Sequence, residues 1–489
     1  MDTAYRLGGN VSYVPCANNY YPHVRGWMIV GVIIIIHGCI VVLILYLRIK
    51  CSSSIEWLMS EEKSKKPFVP NKWKEVKEDF WKTNRESKVD QVGETVREII
   101  QMVRDKGDAA LIELTEKFDK VKLDSVVVSR DDIEAAYEKV PAEVVEELEN
   151  AAYNIQRFHE MQKPAGLWLR EVEPGITLGV KTTPLERVGC YVPGGRASYP
   201  STVLMTVIPA KVAGVDEVIF CTPAPANPIT LVAADIAGAD EIYLSGGAQA
   251  IAAMALGTES IEPVQKIVGP GNVFVTSAKM MLRDKVEIDF PAGPSEVAVL
   301  ADDSADPYLL ASELVAQAEH DPMSACLLIT TDPEMPAKAW KHMEKMIIDA
   351  PRGEIISKAM NNSGYIVCED LDLAIETMNE IAPEHLSIQV RDPLDTLGKI
   401  RNAGSIFIGP YTPVAAGDYA SGTNHVLPTA GHAASSSGLN VAHFMKTSTV
   451  QYLTQEGLEA IAPTIETLST AEGLFAHCES VKIRRYKEE

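Results

Sequence analysis

Residues 382–386 read APEHL and place two titratable side chains, Glu384 and His385, next to each other. Adjacent residues on a helix point about 100° apart, so the two groups would serve different partners. Oxidation of an alcohol to an acid needs two bases, because one removes the hydroxyl proton and another activates water for attack on the aldehyde. A Glu-His dipeptide is also common in solvated loops, and the dipeptide alone does not decide between these interpretations.

A second candidate site lies on a predicted helix that begins at Asp306 and Pro307, an N-cap residue followed by proline at the first helical position. The helix runs through LLASELVAQAEH and ends near Pro322. Gln317 and His320 are three residues apart, so they share a face and can converge on one metal ion. An amide oxygen and an imidazole form half of a zinc site, although this spacing is more often a simple surface pair.

Two later segments present further carboxylates and imidazoles. Residues 403–431, AGSIFIGPYTPVAAGDYASGTNHVLPTAG, are rich in Gly, Pro and Thr, which indicates a loop held in one conformation. This loop presents Asp418 and His425, and the segment ETLSTAEGLFAHCES near the C-terminus presents Glu472 and His477. Spacing alone assigns no role to these four residues.

Short apolar runs alternating with Ala-rich stretches must position these groups. Residues 212–218 (VAGVDEV) and 236–242 (IAGADEI) each join a helix end, a capping Gly and a strand start. Such helix–strand units build a parallel sheet, whose ligands bind beyond the carboxyl ends of the strands. The turns expected there are YVPGG (191–195), SGGAQA (245–250) and VGPGN (268–272). They can bring backbone N–H groups to a phosphate, although none matches G-x-G-x-x-G and each alone is more often a tight turn.

The same patterns divide the rest of the chain. Two amphipathic helices separated by Gly107, a helix over 130–137 and a long helix over 142–161 predict a helical N-terminal region. Strands near VAVLAD, CLLIT, YIVC and SIFIG predict a second α/β domain. The predicted boundaries are a helical region at 59–175, α/β domains at 176–296 and 297–409, and a C-terminal loop and helical segment at 410–489.

Composition narrows the class of protein. The 489 residues are 46% hydrophobic and 23% charged, which is typical of a globular chain with several domains. A net charge of −22 argues against a nucleic-acid partner. The eight cysteines are scattered without a C-x-x-C pair, so neither a disulfide framework nor a thiolate zinc site is expected and a reducing compartment is favoured. Cys190 and Cys326 are interpreted as structural rather than nucleophilic.

Residues 1–58 form an N-terminal extension with its own pattern. Residues 28–47, MIVGVIIIIHGCIVVLILYL, have about the 20 apolar residues that a single-pass transmembrane helix needs. Lys and Arg are more frequent after this stretch than before it, which would orient the helix with the catalytic region on the cytoplasmic side. A true start at Met59 is an equal alternative, and a buried core helix is a third. Mass spectrometry of the native N-terminus would decide whether Met59 is the start.

Nine motifs, taken together, resemble the histidinol dehydrogenase family, which catalyses the last steps of histidine biosynthesis. They occur in family order over about four-fifths of the chain, residues 90–485. The motifs are YVPGG, SGGAQA, VGPGNVFV, DFPAGPSEV, AQAEHD, APEHL, AGSIFIG, GDYASGTNHVLPT and AEGLFAH. Most of them are weak singly, but their number and order make chance agreement negligible.

The resemblance implies two incomplete Rossmann-like α/β domains, the first of them binding NAD, in an intertwined homodimer that exchanges small terminal segments. It implies that Glu384 and His385 are the acid–base pair and that the active sites are shared between subunits. The implied ligands of one Zn2+ per subunit are Gln317, His320, Asp418 and His477, the last supplied across the dimer. The implied NAD-site residues are Tyr191, Gln249 and Asn272. The implied substrate contacts are Ser295, Gln317, His320, His385, Asp418, Glu472 and His477.

The reaction implied by the resemblance is the four-electron oxidation of L-histidinol through L-histidinaldehyde to L-histidine with two NAD+. A related dehydrogenase acting on another amino alcohol or polyol is the alternative, and comparison of rates with these alcohols would distinguish the two. A membrane-tethered binding protein without catalysis is a third hypothesis. The matched catalytic positions, all of them intact, argue against it, and zinc content together with NADH production would test it.

Overall fold

The computed structural model describes residues 27–36, 39–48, 73–77, 89–194, 198–290 and 293–485, and the chain divides into two units at residue 64. In the first unit, the strands β1 (Trp27–Ile36) and β2 (Cys39–Arg48) pair in antiparallel register. The transmembrane helix predicted over 28–47 is therefore wrong, since β-branched Ile and Val dominate this stretch and favour an extended backbone.

No helix in the described part of the chain is long and apolar enough to cross a membrane. The single-pass anchor and the cytoplasmic placement both rested on that helix, so neither has support from the structure. The alternative start at Met59 falls outside the described residues.

The second unit begins with the short strand β3 (Lys74–Glu75) and a layer of helices. These helices are α1 (Gly93–Lys106), α2 (Asp108–Asp119), α3 (Arg130–Tyr137) and α4 (Ala142–Gln162). Gly107, at a φ of 54°, separates α1 from α2 as predicted. Ser129 and Asp132 form a capping box that starts α3 at the predicted residue. The sequence prediction of this helical layer is confirmed.

A hairpin follows the helices. Its strands β4 (Leu167–Glu173) and β5 (Ile176–Pro184) are antiparallel and are joined through Gly175. Every residue of β4 is exposed. The region predicted as helical therefore ends in a strand, which the sequence did not predict because β4 has no buried face that would give an apolar–polar alternation.

The first parallel sheet has the strand order β10-β9-β6-β7-β8. Its strands are β6 (Arg187–Tyr191), β7 (Glu217–Thr222), β8 (Glu241–Leu244), β9 (Lys266–Val268) and β10 (Glu287–Ile288). Its helices are α5 (Pro200–Ala213), α6 (Pro228–Ala237), α7 (Gly247–Leu256) and α8 (Val273–Met281). Gly214 and Gly238 end α5 and α6 in the left-handed conformation, which confirms the helix–strand repeat.

The second parallel sheet has the strand order β15-β14-β11-β12-β13-β3. Its further strands are β11 (Glu296–Ala301), β12 (Ala325–Thr330), β13 (Gly364–Val367), β14 (His385–Gln389) and β15 (Ser405–Ile408). Its helices are α9 (Pro307–Ala318), α10 (Met335–Asp349), α11 (Gly353–Ala359), α12 (Leu371–Ile381) and α13 (Pro393–Leu397). The four predicted strands are confirmed, and β14 was missed.

The C-terminal segment begins with the short helix α14 (Val414–Tyr419) and continues into the strand β16 (Met445–Leu453). The helices α15 (Gln455–Ala471) and α16 (Phe475–Arg485) follow. β16 pairs with β5 and completes a three-stranded antiparallel sheet with β4, a pairing that the prediction of loop and helix omitted. The α/β fold class is confirmed, whereas the domain boundaries stay a prediction.

Candidate active site

Glu384 and His385 lie at the amino end of β14. His385 is the first residue of the strand and pairs in register with Val297 of β11 and Ser405 of β15. Ala382, at a φ of 48°, ends α12 and turns the chain into the strand. Both titratable side chains are buried, so the solvated-loop interpretation is wrong.

The Glu384 carboxylate ends a chain of hydrogen bonds that starts on α9. Gln317 Nε2 donates to Ser295 Oγ at 2.5 Å, and Ser295 Oγ donates to Glu384 Oε2 at 2.7 Å. The backbone N–H of Glu296 donates to the same carboxylate oxygen at 2.7 Å. Glu296 Oε1 in turn accepts the backbone N–H of Glu384 at 3.3 Å. These bonds fix the carboxylate in one orientation.

The His385 ring is held by one nitrogen and unpartnered at the other. Nδ1 lies 2.9 Å from the Glu296 carbonyl oxygen, which can only accept, so Nδ1 carries a proton. Nε2 is buried without a hydrogen-bond partner among the described residues, and Asp418 Oδ1 lies 3.8 Å from it. Burial lowers the pKa of His385, but the Glu384 and Asp418 carboxylates outweigh burial and hold the pKa well above its ordinary value. A cation bound at Asp418 would offset one of these carboxylates.

Asp418 lies on α14, which α9 holds in place. The Glu313 carboxylate on α9 is buried and accepts the backbone N–H of Val414, the first residue of α14, at 2.9 Å. Burial raises the pKa of Asp418, but the His385 side chain, with smaller contributions from His425 and His320, outweighs burial and lowers it. The Asp418 side chain is therefore an anion beside several imidazoles.

Three of the predicted zinc ligands belong to this cluster. Gln317 and Asp418 are buried, and His320, just beyond α9, is close enough to influence the pKa of Asp418. The Gln317 amide nitrogen donates to Ser295, which leaves its amide oxygen to face a cation. An amide oxygen, an imidazole and a carboxylate are hard or borderline donors that fit zinc but fall one short of a tetrahedral set. Within the described ranges, no group of three or more His, Cys, Asp and Glu side chains could hold a metal ion.

The structure does not bring Glu472 and His477 into this cluster. Both are exposed on the C-terminal helical segment, Glu472 at the end of α15 and His477 in the first turn of α16. The same segment carries exposed apolar side chains, including Phe475 at 67% exposed. Trp168 on β4 is also exposed, at 50%. Exposed apolar side chains that form one patch are typical of a contact with another protein chain.

The three predicted NAD-site residues lie at the carboxyl edge of the first sheet. Tyr191 ends β6, Gln249 lies in the first turn of α7 after β8, and Asn272 caps α8 after β9. Tyr191 Oη accepts the backbone N–H of Gly247 at 3.0 Å, and Asn272 Oδ1 accepts the N–H of Phe274 at 3.0 Å. Burial raises the pKa of Tyr191 to about 12, so its hydroxyl stays protonated at neutral pH. Glycine-rich turns at helix N-termini of this kind suit a dinucleotide.

Cys190 and Cys326 are both fully buried. Burial raises the pKa of Cys190 and of Cys326 to about 12. A thiol with such a pKa supplies almost no thiolate at neutral pH. This agrees with their interpretation as structural residues.

The sequence did not single out two residues that organise the site: Glu296 binds both Glu384 and His385, and Glu313 holds the helix of Asp418. His425, which the sequence did single out, donates from Nδ1 to the Asp418 carbonyl oxygen at 2.9 Å, and its Nε2 lies 3.1 Å from Thr202 Oγ1. Glu313 could have been found, because it lies one helical turn before Gln317 on the same face. Glu296 could not, since its role depends on the pairing of β11 with β14.

The chain is similar to known proteins over most of its length. A sequence profile described as histidinol dehydrogenase matches residues 82–485. The chain is 52% identical over 405 residues to the histidinol dehydrogenase of Methanosarcina mazei, covering 82% of this chain and 94% of that one. It is 46% identical to that of Archaeoglobus fulgidus over 84% of this chain and 100% of the other. The crystal structure of histidinol dehydrogenase from Elizabethkingia anophelis superposes with a TM-score of 0.81 at 39% identity, covering 85% of this chain and 98% of that chain.

Proposed function

Because the chain belongs to the histidinol dehydrogenase family, we propose that it oxidises L-histidinol through L-histidinaldehyde to L-histidine. The observation that carries this proposal is a buried cluster in which Ser295 donates to Glu384 and the Glu296 carbonyl oxygen binds His385, with Asp418 3.8 Å from His385 Nε2. It provides two separate proton acceptors, which the alcohol and aldehyde steps each require. NAD+, when bound, would accept one hydride in each step, so that two are consumed per substrate.

His385 is the base of the alcohol step. Its Nδ1–H is committed to the Glu296 carbonyl, so Nε2 is the atom that can accept the hydroxyl proton, once a cation bound at Asp418 offsets one of the carboxylates that hold the pKa of the ring high. A ring held by a backbone carbonyl keeps one tautomer and one orientation, which is what a general base needs. The Asp418 carboxylate at 3.8 Å from Nε2 would favour the resulting imidazolium.

Glu384 is the base of the aldehyde step. Ser295 and the Glu296 N–H both donate to Oε2, which leaves Oε1 to accept a proton from water as the water oxygen bonds to the aldehyde carbon. His385 Nδ1 lies 3.5 Å from the same Oε2, so the two bases are near neighbours with separate reactive atoms. The arrangement fits two sequential proton transfers in one buried cluster.

Gln317, His320 and Asp418 would hold one zinc ion, with His477 of the partner subunit as the fourth ligand. When bound, the ion would orient the substrate by binding its imidazole and amine nitrogens. The exposed positions of Glu472 and His477 and the exposed apolar side chains on the same segment support their use by a second copy of the chain. A monomer with full zinc content and full turnover in analytical ultracentrifugation and assay would contradict the shared site.

The test is the substitution His385→Asn, assayed for NADH production with L-histidinol. Loss of a general base should lower turnover about 10²–10⁴-fold. Zinc content should equal that of the unsubstituted enzyme, because His385 is not a proposed ligand. His342→Asn on α10 is the matched control and should leave both quantities unchanged. Near-normal turnover in His385→Asn would remove the assigned role, and faster oxidation of other amino alcohols would remove the assigned substrate.

A further inference from the structure

A buried ion pair lies behind the turn that follows β9. Lys279 Nζ on α8 lies 2.7 Å from Asp289 Oδ1, just beyond β10. The two side chains are 4% and 2% exposed, so the pair is almost completely removed from solvent. Burial of two charges costs free energy that their attraction only partly offsets, so such a pair is poorly explained by stability alone.

Both charged groups also bind the backbone of one glycine. Lys279 Nζ donates to the Gly269 carbonyl oxygen at 2.6 Å, and the Gly269 N–H donates to Asp289 Oδ2 at 2.8 Å. Gly269 has a φ of 113°, which side-chain-bearing residues rarely adopt. The pair therefore provides hydrogen-bond partners for both backbone polar groups of this glycine. Two apolar side chains in the same positions could not do so.

The turn held in this way contacts the other residues of the same sheet edge. A Cβ built on Gly269 would lie 2.0 Å from the Tyr191 carbonyl oxygen, so the two backbones are in close contact. Tyr191 Oη in turn accepts the N–H of Gly247, two residues before Gln249. The turn itself ends at Asn272, which caps α8. The ion pair thus holds a turn that ends at Asn272 and contacts Tyr191, and neither charged residue is itself a proposed NAD-site residue.

We propose that Lys279 and Asp289 are positioning residues for the dinucleotide, which fix the turn from Gly269 to Asn272 against Tyr191. The inference rests on the proposed NAD site, and it adds that affinity for NAD depends on this buried pair. Preorganisation of a binding turn increases affinity by removing the ordering cost from the binding step. Lys279 and Asp289 should therefore affect dinucleotide binding more than they affect the alcohol substrate or the proton transfers.

The experiment uses the full-length, zinc-loaded enzyme and the substitution Lys279→Met. NADH binding is measured by fluorescence titration without alcohol, and steady-state kinetics are measured with NAD+ and L-histidinol. We expect the Kd of NADH and the KM of NAD+ to rise about tenfold, the scale of a lost preorganised contact. The KM of L-histidinol and the kcat at saturating NAD+ should stay within about twofold.

Lys211→Met is the matched control. Lys211 Nζ lies 2.9 Å from Asp240 Oδ2, and this carboxylate also accepts the Val218 N–H at 2.7 Å. The control pair thus repeats the lysine, carboxylate and backbone pattern, but at the amino end of β7 in the same sheet. Its loss should leave the Kd of NADH within about twofold, since no ligand-binding turn depends on it.

Two further variants separate positioning from folding. Asp289→Asn keeps the size of the side chain and should also raise the Kd of NADH. The double variant Lys279→Met with Asp289→Leu leaves no unpaired buried charge, so it should recover the thermal midpoint while the Kd of NADH stays high.

An unchanged Kd in the folded single variants, or wild-type affinity in the double variant, would overturn the proposal. An equal rise in both KM values would also overturn it. If the unsubstituted enzyme bound NADH without oxidising L-histidinol, the proposed substrate would fail, and the titrations would still test the ion pair.

Discussion

The two parallel sheets carry their candidate functional residues at opposite ends of their strands. In the first sheet, Tyr191 and the turns that hold Gln249 and Asn272 follow the carboxyl ends of β6, β8 and β9. In the second sheet, Glu384 and His385 begin β14 at its amino end. Open α/β sheets ordinarily bind ligands beyond the carboxyl ends of their strands, so the second sheet departs from this rule.

The chemistry of the two edges differs as well. The carboxyl edge of the first sheet offers backbone N–H groups and glycine turns, which suit a phosphate-bearing cofactor. The amino edge of the second sheet offers buried carboxylates, an amide and an imidazole, which suit proton transfer and a cation. If NAD binds at the first edge and the proton transfers occur at the second, as proposed, substitutions at each edge should change different kinetic parameters.

The largest expected effect is at the second edge, in Glu384→Gln. An amide cannot accept a proton from water, so oxidation starting from L-histidinaldehyde should fall by about 10²–10⁴-fold. The Kd of NADH should be unchanged, because the proposed NAD-site residues belong to the other sheet. Glu376→Gln, an exposed position on α12, is the control. Rapid-quench assays from the aldehyde would measure the step, and near wild-type rates would contradict the assignment of Glu384.

Two glycine substitutions should have effects of intermediate size, each on a different kinetic parameter. In Gly269→Ala the new Cβ would lie 2.0 Å from the Tyr191 carbonyl oxygen, and in Gly404→Ala it would lie 2.6 Å from the Glu384 carbonyl oxygen. The neighbouring backbone must shift in both, and a left-handed backbone adds about 1–2 kcal/mol at Gly269. We expect Gly269→Ala to raise the KM of NAD+ and Gly404→Ala to lower kcat, each about tenfold.

Steady-state kinetics with both substrates would measure this pair of effects. Gly166→Ala is the control, since a Cβ there would meet no heavy atom within 4 Å. If both substitutions changed the same parameter, the division of roles between the two edges would be wrong.

The smallest expected effect is that of thiol reagents on the folded enzyme. Burial raises the pKa of Cys190 and of Cys326 to about 12, so at pH 8 only about one thiol in 10⁴ is ionised at either position. Turnover after incubation with iodoacetamide should stay within about twofold of that of the untreated enzyme. Alkylation after denaturation is the control that the reagent is active. Rapid inactivation of the folded enzyme would point to a cysteine in the chemistry.

The sequence predicted one edge better than the other. Glycine turns after short apolar strands are local patterns, and the helix–strand repeat ending at Gly214 and Gly238 appears in the structure as predicted. The strand β14 was missed, because the Glu-His pair at its start was considered only as part of a helix or of a solvated loop. The transmembrane helix predicted over 28–47 was wrong. The length of this apolar stretch favoured a helix, but its β-branched side chains favour the two strands that the structure shows.

By itself, the sequence determined the α/β class, the helix caps and the residue types available for chemistry, because these depend on neighbours within one or two turns of the chain. Only the tertiary structure decided what Glu384 and His385 contact. The hydrogen bond from Ser295 to Glu384 joins residues 89 positions apart, and it exists because β11 and β14 are adjacent in the sheet. Strand order is set by the packing of the whole unit rather than by local preference, so the roles of Glu296 and Glu313 became visible only in three dimensions.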